Sequence, residues 1–216
     1  MMLFWCIVAS VVGFLSGSIM YSYFIPRVLS GVDVRKIGED GNPGSTNAIR
    51  AAGPAVGGLC MALDVLKAFC PVFVATALLN IRGAYLVPVI VAPALGHAFS
   101  PLLGFRGGKA VSASFGSLLG IIQLSRVVFV MAVVLAFFTF VLVIRPNSTR
   151  LIAGVACAFA VALFTEPIFS IKVAFSLIML LLLYKHYSNP DAGENTVSLW
   201  HYTIDFRDHR LHLYKV

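Results

Sequence analysis

Residues 84–125 read AYLVPVIVAPALGHAFSPLLGFRGGKAVSASFGSLLGIIQLS: an uncharged apolar run, a short cationic glycine loop, and a second uncharged apolar run. The stretch 84–103 matches the ~20 residues an α-helix needs to cross the hydrocarbon core of a bilayer. The loop Gly104-Phe105-Arg106-Gly107-Gly108-Lys109 then sets two cations and three glycines at the edge of that core. Working outward, the pattern recurs. Uncharged runs also occupy 3–24, 127–144 and 151–165, while 51–79 carries Asp64 and Lys67 and 167–184 carries Lys172. The arrangement predicts an all-α, polytopic membrane helical bundle of about seven transmembrane helices. Because 110–125 and 151–165 are short, five spans plus two partial or re-entrant segments is the alternative count.

Of the 216 residues, 59% are hydrophobic and 12% charged, with a mean hydropathy of +0.92. An ordinary soluble domain is about 25% charged, so that class is excluded. An odd number of spans puts the termini on opposite sides, and the positive-inside rule then orients the chain. With the N-terminus outside and the C-terminus cytoplasmic, the inner loops collect Arg27, Arg35, Lys36, Arg50, Arg106, Lys109, Arg145, Arg150 and Lys185, and the outer loops keep Arg82 and Arg126. This asymmetry accounts for most of the net charge of +7 without nucleic acid as a partner. The first segment lacks a basic leader and an Ala-x-Ala site, so it reads as a retained span rather than a cleaved signal. Cys6, Cys60, Cys70 and Cys157 fall in apolar runs without paired spacing and read as small hydrophobes, with no metal site expected. Residues 1–189 form one membrane domain. Residues 190–216 read as a polar cytoplasmic tail whose Trp200, Tyr202, Phe206 and Tyr214 lie against headgroups.

Three polar clusters carry chemistry. In the first, Gly38, Asp40, Gly41, Asn42, Gly44, Thr46 and Asn47 lead to Arg50, a planar fork suited to phosphate. In the second, Gly96-His97 leads into Gly107-Gly108-Lys109. Glycines let amide N–H groups converge on an anion, and the Gly-Gly pair has no structural need in a simple inner loop. Ala110 after Lys109 offers no hydroxyl to Mg²⁺, which excludes a nucleotide P-loop. A lone histidine such as His97 is more often satisfied by a nearby carbonyl than used as a ligand. In the third cluster, His186 and Asn189 stand one helical turn apart after the last apolar run, with Lys185 and Tyr187 as interfacial anchors. Asp64 and Lys67, at i,i+3 spacing inside an apolar run, are expected to pair. Gly13/Gly17, Gly53/Gly57 and Gly116/Gly120 offer close helix-packing faces.

These residues, in this order, resemble the acyl-phosphate-dependent glycerol-3-phosphate acyltransferases of bacterial membranes. Gly41-Asn42-Pro43-Gly44-Ser45-Thr46-Asn47-Ala48-Ile49-Arg50 is similar to the family's first motif. Gly96-His97-Ala98-Phe99 with Phe105-Arg106-Gly107-Gly108-Lys109-Ala110-Val111 resembles its second, and His186 with Asn189 its third. Leu63-Asp64-Val65-Leu66-Lys67 also matches. The resemblance covers about residues 13 to 189. It implies transfer of a fatty acyl group from acyl phosphate to glycerol 3-phosphate, giving lysophosphatidic acid for phospholipid synthesis, without cofactor or metal.

The location it implies is the bacterial inner membrane, multi-pass, with the active site facing the cytoplasm. Lys109, His186, Asn189 and Arg50 are the implied catalytic set. Gly107, Gly108, Asp40, Asn42, Thr46, Asn47, His97 and Ser148 are the implied substrate-binding set. The Gly107-Gly108-Lys109 nest is expected to take the donor phosphate, with a substrate phosphate as proton acceptor. The chain departs from the pattern at Asp40, where the family has serine, with Glu39 inserted beside it. It departs again at Ser100, where the family has proline, and at 190–194, where acids replace basic residues. An acid at position 40 repels phosphate unless it pairs with a cation. A divergent paralogue with another phosphorylated acceptor, a non-catalytic membrane protein and an anion transporter are the rival readings. Polar groups confined to one face and the lack of internal repeats disfavour transport.

Overall fold

The computed structural model describes every residue except 39, 192–195, 200–201, 208–209 and 216, and gives backbone alone for 202–207 and 210–215. Glu39, Glu194 and Trp200 therefore lie outside the described residues. The chain runs α1 (Met2–Ser18), α2 (Tyr21–Ser30), α3 (Ser45–Phe73), α4 (Leu86–Ala98), α5 (Val111–Leu119), α6 (Val127–Phe140), β1 (Leu142–Arg145), α7 (Asn147–Thr165), α8 (Phe169–Ser188), then β2 (Thr196–Leu199), β3 (Tyr202–Arg207) and β4 (Arg210–Lys215). Among the described residues, five stretches are long and apolar enough to cross a membrane: Met2–Ser30, Ser45–Leu78, Gly83–Leu103, Asn147–Thr165 and Phe169–Ser188. The two runs that would complete a count of seven form shorter helices, α5 with 9 residues and α6 with 14.

Small residues set the helix spacing. Gly13 and Gly17 of α1 lie against Pro93 of α4, and Gly96 of α4 lies against the Phe14 backbone, so each helix supplies glycine where the other presents main chain. Gly116 of α5 and Gly120, the residue that follows its end, do the same against the Val65 and Phe69 carbonyls of α3. Gly53 behaves otherwise. Its φ of 85° and ψ of 168° break α3 just before Pro54, leaving a short first helical piece set off from the long span. That break carries Asn47 and Arg50 clear of the apolar core. The core itself gathers Ile90, Leu118, Met131, Ala158, Phe175, Ile178 and Leu182, all fully buried among α4 to α8.

The expectation of an all-helical chain misses a four-stranded antiparallel sheet in the order β1-β2-β3-β4. β1 and β2 pair with Ile144 opposite Val197 and Arg145 opposite Thr196. Leu142, Val143 and Ile144 looked like the end of a span. They are strand formers, and a partner distant in sequence satisfies their backbone. The segment after α8 thus reaches back to the loop between α6 and α7.

Candidate active site

The N-termini of α3, α5 and α7 meet the C-terminal ends of α4 and α8 around a cavity of about 1050 Å³. Gly44, Ser45 and Thr46 line it from α3, Val111 and Ser112 from α5, and Pro146 and Asn147 from α7. The N-cap residues Gly44, Ala110 and Pro146 offer no side-chain cap, and among the described residues the first N–H groups and the positive ends of these dipoles face the cavity. Arg50, Arg145, Arg150 and Lys109 line the same cavity. Such an arrangement binds anions.

Of the residues singled out in the sequence, Arg50, Lys109, His186, His97, Asp40, Asn42, Thr46 and Asn47 share this cavity. Asn47 organises the first loop: its amide nitrogen donates to Asp40 Oδ1 at 3.1 Å and to the Asn42 carbonyl at 2.8 Å, and its oxygen accepts from Arg50 at 3.3 Å. Lys109, 7% exposed, lies 2.8 Å from Asp40 Oδ2 and 2.9 Å from Asp191 Oδ1, and donates to Ser148 Oγ at 3.2 Å. The acid at position 40 is therefore paired with a cation.

His186 Nδ1 lies 2.8 Å from the Leu182 carbonyl, which can only accept, so Nδ1 carries the proton. Nε2 is then a lone-pair acceptor. It is buried without a partner among the described residues, on a residue that lines the cavity. His97 also lines the cavity, with Nδ1 buried and unpartnered among the described residues. Asp64 and Lys67 form the expected ion pair at 2.6 Å, and Ser22 donates to Asp64 Oδ2 at 2.5 Å. Lys67 also donates to the Ile19 carbonyl, tying α3 to the α1–α2 turn.

The glycine pair has a structural need after all. Neither Gly107 nor Gly108 has positive φ, and the Gly108 N–H is donated to the His97 carbonyl at 3.0 Å. A Cβ at Gly107 would overlap that carbonyl, and one at Gly108 would overlap the His97 imidazole. The loop is glycine because it passes directly over the end of α4. Asn189 and Gly107 line a separate cavity of about 370 Å³, which shares Asp40 and Asn42 with the larger one. Gly108 lines neither, and Ser148 reaches the site through Lys109.

Sequence reasoning missed three contributors. Arg145 and Arg150 had been counted only as topological cations. Lys185 had been read as an interfacial anchor, but it is buried and donates to the Ala98 and Gly107 carbonyls at 3.0 and 3.3 Å, fastening the glycine loop to α8. The spacing of Arg150 from Asn147, to which it donates, was the available signal for that residue.

Fold and site together define a helical membrane protein with a cavity, lined by Arg50, Arg145, Arg150 and Lys109, where its helix ends converge. Residues 7–192 match the family model described as glycerol-3-phosphate acyltransferase, and the chain belongs to that family. Glycerol-3-phosphate acyltransferases of Thermotoga petrophila and Thermotoga maritima are 48% and 47% identical over 106 residues, 49% of this chain and 53% of each relative. The match thus spans about half the length of those relatives. A Pseudoalteromonas translucida glycerol-3-phosphate acyltransferase is 33% identical over 180 residues, 83% of this chain and 84% of its own length. The crystal structure of PlsY (YgiH), an integral membrane glycerol 3-phosphate acyltransferase, in its glycerol 3-phosphate form superposes with a TM-score of 0.73 at 30% identity. It covers 85% of this chain and 89% of that one. The lysophosphatidic acid form of PlsY gives 0.71 at 29% identity.

Proposed function

We propose that this chain transfers a fatty acyl group from acyl phosphate to the 1-hydroxyl of glycerol 3-phosphate, giving lysophosphatidic acid and phosphate. The observation that carries the reading is the convergence of three uncapped helix N-termini with Arg50, Arg145, Arg150 and Lys109 on one cavity. The reaction brings two phosphorylated molecules together, and that cavity supplies more anion-binding capacity than one phosphate uses. Family membership supplies the acyl chemistry and the acceptor.

Acyl phosphate is an activated mixed anhydride, so positioning and charge stabilisation supply most of the rate. None of the four cysteines lines the cavity, in keeping with direct transfer. The acceptor hydroxyl oxygen forms the new bond to the acyl carbon, the carbon–oxygen bond to phosphate breaks, and phosphate leaves with the electron pair. His186 Nε2 receives the hydroxyl proton and passes it to the departing phosphate, which leaves as hydrogen phosphate. Arg50 and the α3 N-terminus hold the glycerol 3-phosphate, and Lys109 with the α5 N-terminus holds the donor phosphate. Asn189 lines the neighbouring cavity, beside Asp40 and Asn42, which line both. The site faces the cytoplasm of a bacterial inner membrane, with the N-terminus outside.

The test is purified protein in lipid nanodiscs given acyl phosphate and glycerol 3-phosphate, with lysophosphatidic acid measured. Wild type forms product, and Lys109→Ala loses ~10²–10³-fold in rate. No product from wild type, or equal rates, contradicts the reading. For the orientation, a cysteine placed at exposed Arg106 reacts with an impermeant thiol reagent only after cells are permeabilised; labelling of intact cells reverses it.

A further inference from the structure

Asp191 follows α8 directly and is held on both sides of the site. Its carboxylate is shared: Oδ1 lies 2.9 Å from Lys109 Nζ, and Oδ2 accepts from Ser148 Oγ at 2.9 Å. Its own N–H donates to Ser148 Oγ at 3.0 Å, closing a ring of contacts between the segment after α8 and the first turn of α7. Two oxygens of one anion, one on an ammonium and one on a hydroxyl, is the way a phosphate engages a lysine and a serine. Asp40 contacts the same ammonium. One positive charge therefore faces two carboxylates, and a phosphate approaching Lys109 must compete with both for it.

Nor is Asp191 free to drift away. Upstream it is continuous with α8, and downstream β2 pairs with β1, which leads through Arg145 and Pro146 to Ser148. A tethered group of this kind competes as though present at concentrations on the order of millimolar.

We propose that Asp191 is a specificity-determining residue of this site: its carboxylate holds the Lys109–Ser148 position in place of a phosphate, and a substrate phosphate gains Lys109 only by displacing it. The inference rests on the reading of Lys109 as the donor-phosphate ligand. Its consequence is a site that discriminates against weakly held phosphates, because a ligand must bring enough additional binding, such as an acyl chain in the bilayer, to outcompete an internal anion. Free inorganic phosphate, the product of the reaction, is the ligand most disfavoured.

The test compares wild type with Asp191→Asn, which keeps the size, removes the charge and turns one accepting oxygen into a donor, and with Asp191→Glu, which keeps the charge. Two readouts are taken in nanodiscs: thermal stabilisation by inorganic phosphate, and product formation with its inhibition by inorganic phosphate. Asp191→Asn should bind inorganic phosphate ~10-fold more tightly and show a lowered KM for acyl phosphate, while Asp191→Glu should keep phosphate binding weak. Unchanged or weaker phosphate binding in Asp191→Asn overturns the proposal, and weaker binding with a fall in kcat would make Asp191 a support for Lys109 instead. Should Asp191→Asn fail to fold, Asp191→Ser carries the same comparison. Absence of product from wild type counts against the acyltransfer reading, whereas the phosphate-binding readout decides Asp191 without it.

Discussion

At Asp191, burial opposes ionisation, and hydrogen bonds from Lys109 and Ser148 with the lysine's charge outweigh it, so the carboxyl sits at about 2. A free aspartate titrates at about 3.9. Because the folded value is the lower one, this group's contribution to stability is complete above about pH 4 and fades as pH falls toward 2. The difference in melting temperature between wild type and Asp191→Asn should then be constant from pH 5 to pH 8. A difference that changes within that window would mean another group controls the contact. His186 is the other residue whose chemistry is set by one neighbour. With Nδ1 committed to Leu182, only Nε2 faces the reaction. His186→Gln should lower kcat by ~10²–10⁴-fold with KM little changed; a selective rise in KM would instead make it a binding group.

Among the elements, the glycine loop and the end of α4 are one unit. Adding a methyl at Gly108 drives it into the His97 ring, and rigid overpacking of this kind costs typically 1–3 kcal/mol. Gly108→Ala should lower both thermal stability and activity. Gly58→Ala, where a Cβ meets nothing within 4 Å, should change neither. Equal behaviour of the two variants would contradict the packing account. Two of the three paired-glycine motifs did what their spacing suggested and let helices approach. The Gly53 motif did not, because its first member is a hinge ahead of Pro54 rather than a contact.

For the molecule as a whole, the buried Asp64–Lys67 pair ties α1, α2 and α3 together at the floor of the cavity. Breaking a buried pair strands one charge and costs roughly 3–5 kcal/mol, while replacing both partners is far milder. Asp64→Asn should therefore unfold at distinctly lower temperature than the double variant Asp64→Asn/Lys67→Met. The opposite order, measured by thermal unfolding in detergent, would show that the pair is not what holds these helices.

The apolar runs, the buried ion pair, the polar loops and the cavity residues Asp40, Asn42, Thr46, Asn47, Arg50, His97, Lys109 and His186 were legible from the sequence, because hydrophobic length and charge placement are local properties of the chain and the motif order resembles a known family. Arg50, Lys109 and His186 could be named because the order and spacing of the three motifs resemble those of a known family; along the chain alone Arg50 and His186 are a loop cation and an interfacial flank. Four matters needed the tertiary structure. The reason for Gly107 and Gly108 lies in the carbonyl and ring of His97 above them, a contact invisible along the chain. Lys185 turned from surface anchor to buried staple because two carbonyls await it. β1 became a strand because β2, far along the chain, supplies its hydrogen bonds. Asp191, which read as part of a polar cytoplasmic tail, sits on Lys109 in a segment that the β1–β2 pairing folds back over the site. Composition and periodicity report what each stretch can bury, whereas which charge meets which is decided only when distant loops are brought to one end of the bundle.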